Sequence, residues 1–395
     1  MLRKSVAVIL MVVLFTGFVA SGYAQAAAIS LEQAKSFARI NSRKLSQLKL
    51  NIDKAQYQLD QAESNQTNEW IELDQLDAEY SSLETQLSSL DPSDPSNTDK
   101  ITEVNNQMAS LRSKISDQVK AVAASVTIRE AEDAYDDSVA EQDIYKEKLD
   151  YEVENLYTSI LTQQDTLKAL QEEASLKEKL QALEEQRCAM GASSQYKVDQ
   201  LAAELEALKQ KAAEAHTSVM QSKGSLNDYM GREYDQDVEL EGFTPPEPSE
   251  IPDYETLLSK ASGNYLTVSQ LERDIEQGEN NSYSDYYEER IQNLELKNKE
   301  IQLEDEEAQL KQTISNLLSD YNTRQESLRI ANINYDNALK AYNWDKKRFG
   351  LGQIAKTTLL QTELSYIQAQ NQKCSAAYAL YLAERSLKLA EKGIL

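Results

Sequence analysis

Apolar residues recur along this chain at alternating intervals of three and four. Leu45, Leu48, Ile52, Ala55, Leu59 and Ala62 carry the pattern, which lapses at Gln66 and Glu69. It resumes in the same phase at Leu73, Leu76, Tyr80, Leu83, Leu87 and Leu90, and again at Ile101, Val104, Met108, Leu111 and Ile115. Spacing of this kind, held over many turns, predicts long helices packed along a narrow apolar seam. The lapse at Gln66 and Glu69 has two readings: a wet stretch, or a tolerated imperfection in the seam.

The breaks in the pattern are few. All six prolines lie in two clusters, Pro92 and Pro95 in DPSDPSNTDK and Pro245, Pro246, Pro248 and Pro252 in GFTPPEPSEIPD. A proline inside a helix costs about 3 kcal/mol, so the proline-free stretches are open to continuous helix. The first cluster predicts a reversal over 91–98 between two antiparallel arms. The second predicts an extended linker over 241–253. Gly191, Gly278 and the Gly350/Gly352 pair mark the remaining expected breaks.

The chain also repeats itself. A shift of 161 residues places Leu149, Val153, Leu156, Ile160 and Leu167 on Leu310, Ile314, Leu317, Tyr321 and Leu328. The same shift places Arg187 on Arg348 and Gly191 on Gly352. The starts of the halves need a shift of 223, with Leu31, Ala34, Ala38 and Asn41 falling on Tyr254, Leu257, Ala261 and Asn264. The expected halves are therefore 27–240 and 254–395, and the first holds the extra length. Its hairpin turns at the proline cluster, whereas the second can turn only near Gly278-Glu279-Asn280-Asn281. Shared over two arms, the difference makes the first hairpin project ~46 Å beyond the second.

Composition narrows the fold class to all-α. With 11 Gly and 6 Pro in 395 residues, there is too little punctuation for many short elements. Five Phe and two Trp cannot fill a thick globular core, although Tyr numbers 21. The net charge of −25 argues against a nucleic-acid partner. One His and two distant cysteines give no metal or haem spacing, so no cofactor, metal or catalytic residue is expected, and the chain is not read as an enzyme. Cys188 and Cys374 lie too far apart along such helices for an internal disulfide to be expected. Residues 1–26 read as a secretory signal: Arg3 and Lys4, an apolar run from Val6 to Val19, then Ala24-Gln25-Ala26. An uncleaved anchor is the other reading, disfavoured by the shortness of the run.

At this point the chain resembles the TolC-type outer-membrane efflux (channel-tunnel) family. The resemblance rests on ISLEQAKSFARINSRKL and DYETLLSKASGNYL at the starts of the halves. It rests further on two Arg-to-Gly reversals, RCAMGASSQYKVDQLAAEL and RFGLGQIAKTTLLQTELSYIQAQ. It implies a tandem repeat of helical hairpins, three protomers closing a hollow tube, and a tip that meets a membrane-fusion adaptor and a pump of ABC or RND type. Arg187, Gly191, Asp199, Arg348, Gly352 and Glu363 are the implied tip residues. The glycines are either docking tips or simple helix stops; the arginines either cap carbonyls or reach a partner.

Two departures qualify the resemblance. The family inserts two strands into each repeat to build a membrane barrel, but DPSDPSNTDK and EQGENNSYSDYY lack the ~9–11 alternating residues that each strand needs. The positions of the family's gate aspartates hold Thr358 and Gln361. The expectation is an exported, trimeric efflux or secretion conduit without an evident barrel, standing in the cell envelope, in the wall region of a single-membrane cell. The alternative is a coiled-coil spacer of the envelope that conducts nothing. Tyr321, Tyr335 and Tyr342 continue the seam and are read as core residues with hydroxyls turned to a wet interface.

Overall fold

The computed structural model describes residues 28–124, 127–280 and 285–395; the expected signal segment lies outside them. Among the described residues the architecture is all-α, as the periodicity predicts. The helices are α1 (Leu31–Asn41), α2 (Arg43–Ser88), α3 (Thr98–Ala124), α4 (Thr127–Ala189), α5 (Gln195–Tyr229), α6 (Tyr254–Asn264), α7 (Leu266–Asn280), α8 (Tyr286–Gly350) and α9 (Lys356–Glu391). No strand occurs among the described residues, and the sole ladder contact there is a parallel bridge between Ile29 and Leu240.

Short polar side chains set the helix starts. Ser30 and Gln33 close a reciprocal capping box on α1. Ser42 separates α1 from α2 and accepts the Leu45 N–H, and Asp253 does the same for Thr256 at the start of α6. The break at Ser42, and its counterpart at Tyr265 between α6 and α7, are not visible in the apolar spacing. α6 begins and ends 223 residues after α1, at Tyr254 and Asn264 against Leu31 and Asn41.

At the proline cluster Asp91 and Asp94 accept the Ser93 and Ser96 N–H groups at 2.9 Å, and Pro95 opens a single 3₁₀ turn. The polar tip thus satisfies its own backbone. Gly278 is not a break: α7 continues to Asn280, and a side chain at 278 would meet Leu296 of α8 at 2.9 Å. The reversal falls between Asn280 and Tyr286, of which 281–284 lie outside the described residues. That interval is too short for a pair of membrane strands, which need about 9–11 residues each.

The helices pack side by side. α4 lies against α1, α2, α5 and α9, and α9 lies against α8 and α6. In the half that carries the two Arg-to-Gly reversals the order is α5, α4, α9, α8, leaving α5 and α8 as edges. Pairing along α1–α2 and its return arm runs in step. Lys35 meets Glu154, Arg39 meets Asp150, Glu69 meets Gln118 and Tyr80 meets Arg112. The α4–α9 seam is antiparallel over its whole length, from Glu147–Lys392 through Tyr151–Ser386 and Thr166–Asn371 to Leu176, Leu180 and Leu360.

Two apolar clusters form where α1 and α6 dock. Leu31, Ala34, Ala38, Val153, Tyr157 and Ile160 form one, and Leu257, Ala261, Leu310, Ile314, Leu380 and Leu387 the other. Tyrosines strap the linker over them. Tyr157 faces the Ile29 and Glu241 carbonyls at 2.8 and 2.6 Å, and Tyr378 donates to the Phe243 carbonyl at 2.7 Å. Burial pushes the Tyr157 and Tyr378 hydroxyls up to about 12, so both remain donors throughout the physiological range.

Candidate functional site: the paired reversals

The α4–α5 and α8–α9 reversals are built alike. Each helix ends on a glycine in the left-handed region, Gly191 at φ 73° and Gly352 at φ 70°. The Gly191 N–H bonds the Cys188 carbonyl and the Ala192 N–H bonds that of Arg187. Likewise Gly352 bonds Phe349, and Gln353 bonds Arg348. This pair of backbone bonds satisfies the last carbonyls of each helix and requires positive φ at the glycine. Nothing lies within 4 Å of where a Cβ would stand at either position, so backbone conformation and not crowding selects glycine.

The arginines do not cap those carbonyls with their side chains. The Arg187 guanidinium donates to Glu184 at 3.0 Å, and Arg348 donates to Asp345 at 3.3 Å. Each acid lies one turn earlier and anchors the segment beyond the glycine: Glu184 accepts from Ser193, and Asp345 accepts from Thr362 at 2.6 Å. The Ser193 hydroxyl bond, with Arg187 beside it, holds the Glu184 carboxyl below its ordinary range. Both arginines stay about half exposed, at 50% and 48% of the side chain. The acid–arginine spacing at 184/187 and 345/348 was present in the sequence but unread, because i,i+3 pairs are common on any helix.

Leu183 of α4 and Leu364 and Ile367 of α9 all pack against one cluster of Leu176, Leu180 and Leu360, so the two reversals stand at the same end of the molecule. Asp199 accepts from Gln195 at 2.9 Å, and Glu363 lies 3.5 Å from the Tyr342 hydroxyl. The six residues therefore share one end: the arginines sit in two separate networks, and Asp199 and Glu363 pair outside them. The same end exposes apolar side chains that sequence reasoning did not single out: Met190, Tyr196, Trp344 and Leu351. Thr358 and Gln361 sit in the first turns of α9.

The tyrosines meet the expectation of core positions at Tyr321 and depart from it at Tyr335 and Tyr342. Tyr321 is buried. Tyr335 and Tyr342 flank Tyr366 at 5.7 and 5.5 Å, with Lys373 and Lys346 over the outer rings. They form a self-contained stack across α8 and α9, not a row of hydroxyls facing water.

An ionic junction was also unread. Glu154, only 2% exposed, accepts from Lys35 of α1 at 2.9 Å and from Arg385 of α9 at 2.7 Å. One turn away, Asp150 binds Arg39 through both oxygens. The residues 161 positions later, Lys311 and Ser315, cannot reproduce it, so the ionic form belongs to the first half alone.

The sequence matches no protein-family model and no curated protein. Solved structures do resemble this chain in shape. The outer-membrane channel OprN superposes with TM-score 0.60 at 12% identity, covering 92% of this chain and 90% of that one. The outer membrane protein VceC from Vibrio cholerae gives 0.58 at 12% identity, over 92% of this chain and 96% of that one. The Campylobacter jejuni outer membrane channel CmeC gives 0.57 at 12% identity, over 92% and 85%. The fold is that of the TolC-type channels. It is shared without barrel strands among the described residues.

Proposed function

We propose that this chain is one protomer of an exported, trimeric TolC-type conduit that receives cargo from an adaptor and an energy-coupled pump at the Gly191/Gly352 end. The observation that carries this reading is the side-by-side helical layer, which ends in α8 on one edge and in α2 and α5 on the other. An isolated layer leaves apolar stripes in water, such as Ile291, Leu294 and Ile301 on α8. Copies arranged around an axis cover them. Arg187, Gly191, Asp199, Arg348, Gly352 and Glu363 belong to the adaptor-facing end, with Met190, Tyr196 and Leu351 as its apolar contacts. The two tandem halves, 27–240 and 254–395, supply equivalent reversals, and the 241–253 linker joins them. No covalent chemistry is assigned to the protein, and its place is the cell envelope.

The helical upper tips favour a second reading, a spacer of the envelope wall. Light scattering on purified chain, together with co-purification of an adaptor, separates the two. A mass of three copies, with adaptor capture lost on Met190→Ser/Leu351→Ser, supports the conduit. Three copies with no adaptor capture point to the spacer. A monomer at every concentration removes the conduit.

A further inference from the structure

The linker over 241–253 is stiff by sequence. Proline fixes its own φ at about −65°, and the residue before a proline is confined to extended backbone. Thr244, Pro245 and Glu247 each precede a proline, so residues 244–248 are set to a polyproline II rod. No helix occurs over 241–253. Among the described residues, no main-chain hydrogen bond joins 242–252 to the rest of the backbone.

Both ends of the rod are fixed. Phe243 packs on the first apolar cluster, its ring centroid 5.1 Å from that of Tyr381, and its carbonyl accepts from Tyr378. Ser249 donates to Glu384 of α9 through its amide at 3.3 Å and its hydroxyl at 2.5 Å. Ile251 packs on the second cluster. Between these anchors Thr244, Pro246, Glu247 and Pro248 are exposed. With three residues per turn, Pro245 and Pro248 fall on one edge of the rod and Thr244 and Glu247 on another.

Holding the halves in place does not require this stiffness. The α4–α9 seam already ties them together along its length, from Glu147–Lys392 through Thr166–Asn371 to Leu180 and Leu360. Charge sets the segment apart as well. Between Arg232 and Lys260 the chain carries no Lys or Arg. Glu247 and Glu250 are exposed and have no ion-pair or hydrogen-bond partner among the described residues.

We infer that residues 244–250 are a docking rail for a second protein, one that presents an aromatic-lined groove with Lys or Arg at its rim. A rod already in this form loses little conformational entropy on binding. Aromatic-lined grooves take up such rods through their exposed prolines. The carbonyls of 244–248, unbonded within the fold, are open to Tyr or Trp donors of the groove. Glu247 and Glu250 select the basic rim. Docking here needs no second copy of the chain, and it stands whether the protein conducts or only spaces.

The test titrates the purified full chain, by calorimetry, with a panel of SH3-type domains, some with basic rims and some with acidic ones. Basic-rimmed domains should bind, and more weakly as salt rises. Pro245→Ala with Pro248→Ala should weaken that binding about tenfold or more, because the groove loses the rings it packs. Glu247→Lys with Glu250→Lys should weaken it comparably. Helical circular dichroism and oligomeric mass should stay unchanged in both variants, since all four positions lie outside the helices. Undiminished binding by the proline variant, equal binding by acid-rimmed domains, or no binding by any domain overturns the docking rail and leaves the conduit standing.

Discussion

Asp165 and Glu173 lie half-buried on α4 where it faces α9, and burial raises both carboxyls above their ordinary range. The sign follows directly. A raised folded-state pKa means the folded protein holds its proton more tightly, so stability present at acid pH falls as pH rises through the raised value. At neutral pH the full cost of the buried charge is felt. Asp165→Asn should therefore raise the melting temperature at pH 7. The gain should shrink as pH falls and vanish below the ordinary carboxylate range, where Asp165 is protonated in both states. A melting series against pH checks this; an equal or growing gain in acid would contradict it. Asp165 also shows where sequence reading stops. The 161-residue shift places it on Glu326, but Glu326 is exposed and pairs with Arg329. The same residue class has opposite environments, because only the first sits on the α4–α9 seam.

At the scale of elements, the heptad spacing made α2, α3 and α8 legible, and the two proline clusters marked a reversal and an extended strap. Positive-φ reversals at Gly191 and Gly352 were legible because arginine, glycine and spacing recur together. The breaks at Ser42 and Tyr265 were not, since a serine or tyrosine in a polar helix face carries no obligatory meaning. The Glu154 junction was equally hidden. Lys35, Arg385 and Glu154 are far apart in sequence, and a buried ion pair needs all three at once.

That junction joins α1, α4 and α9, and it predicts a large asymmetry between variants. Glu154→Gln leaves Lys35 and Arg385 without their shared counter-charge, a loss of about 3–5 kcal/mol for a buried network. Glu326→Gln, which removes an exposed pair one turn from Arg329, should leave the urea midpoint unchanged. Urea unfolding of the two variants side by side reads the difference. Similar midpoints would mean that the junction is solvated in solution.

At the scale of the whole molecule, length is the most direct consequence of the sequence. α4 has 63 residues and spans about 95 Å. α2 continues upward past the start of α4 for about 40 Å. Small-angle scattering should accordingly report a maximum dimension near ~135 Å, against a radius of gyration of about 21 Å for a compact chain of this length. A compact profile would contradict the layered arrangement. The same likeness to outer-membrane channels that supports the conduit leaves the upper end as the point of departure. There the chain reverses through aspartates and prolines, not through lipid-facing strands.

Finally, α2 runs from Arg43 to Ser88 without interruption, passing the second tip as one rod. A lateral push on the polar end at Pro95 therefore has no joint at which to dissipate. It acts through a lever several times longer than the footing it turns on. The nearest pivot is the single non-helical residue Ser42, next to the Arg39–Asp150 clamp. Motion at the far end of this mast would be felt first as torque on α1, and so on the electrostatic knot that fastens the two halves together.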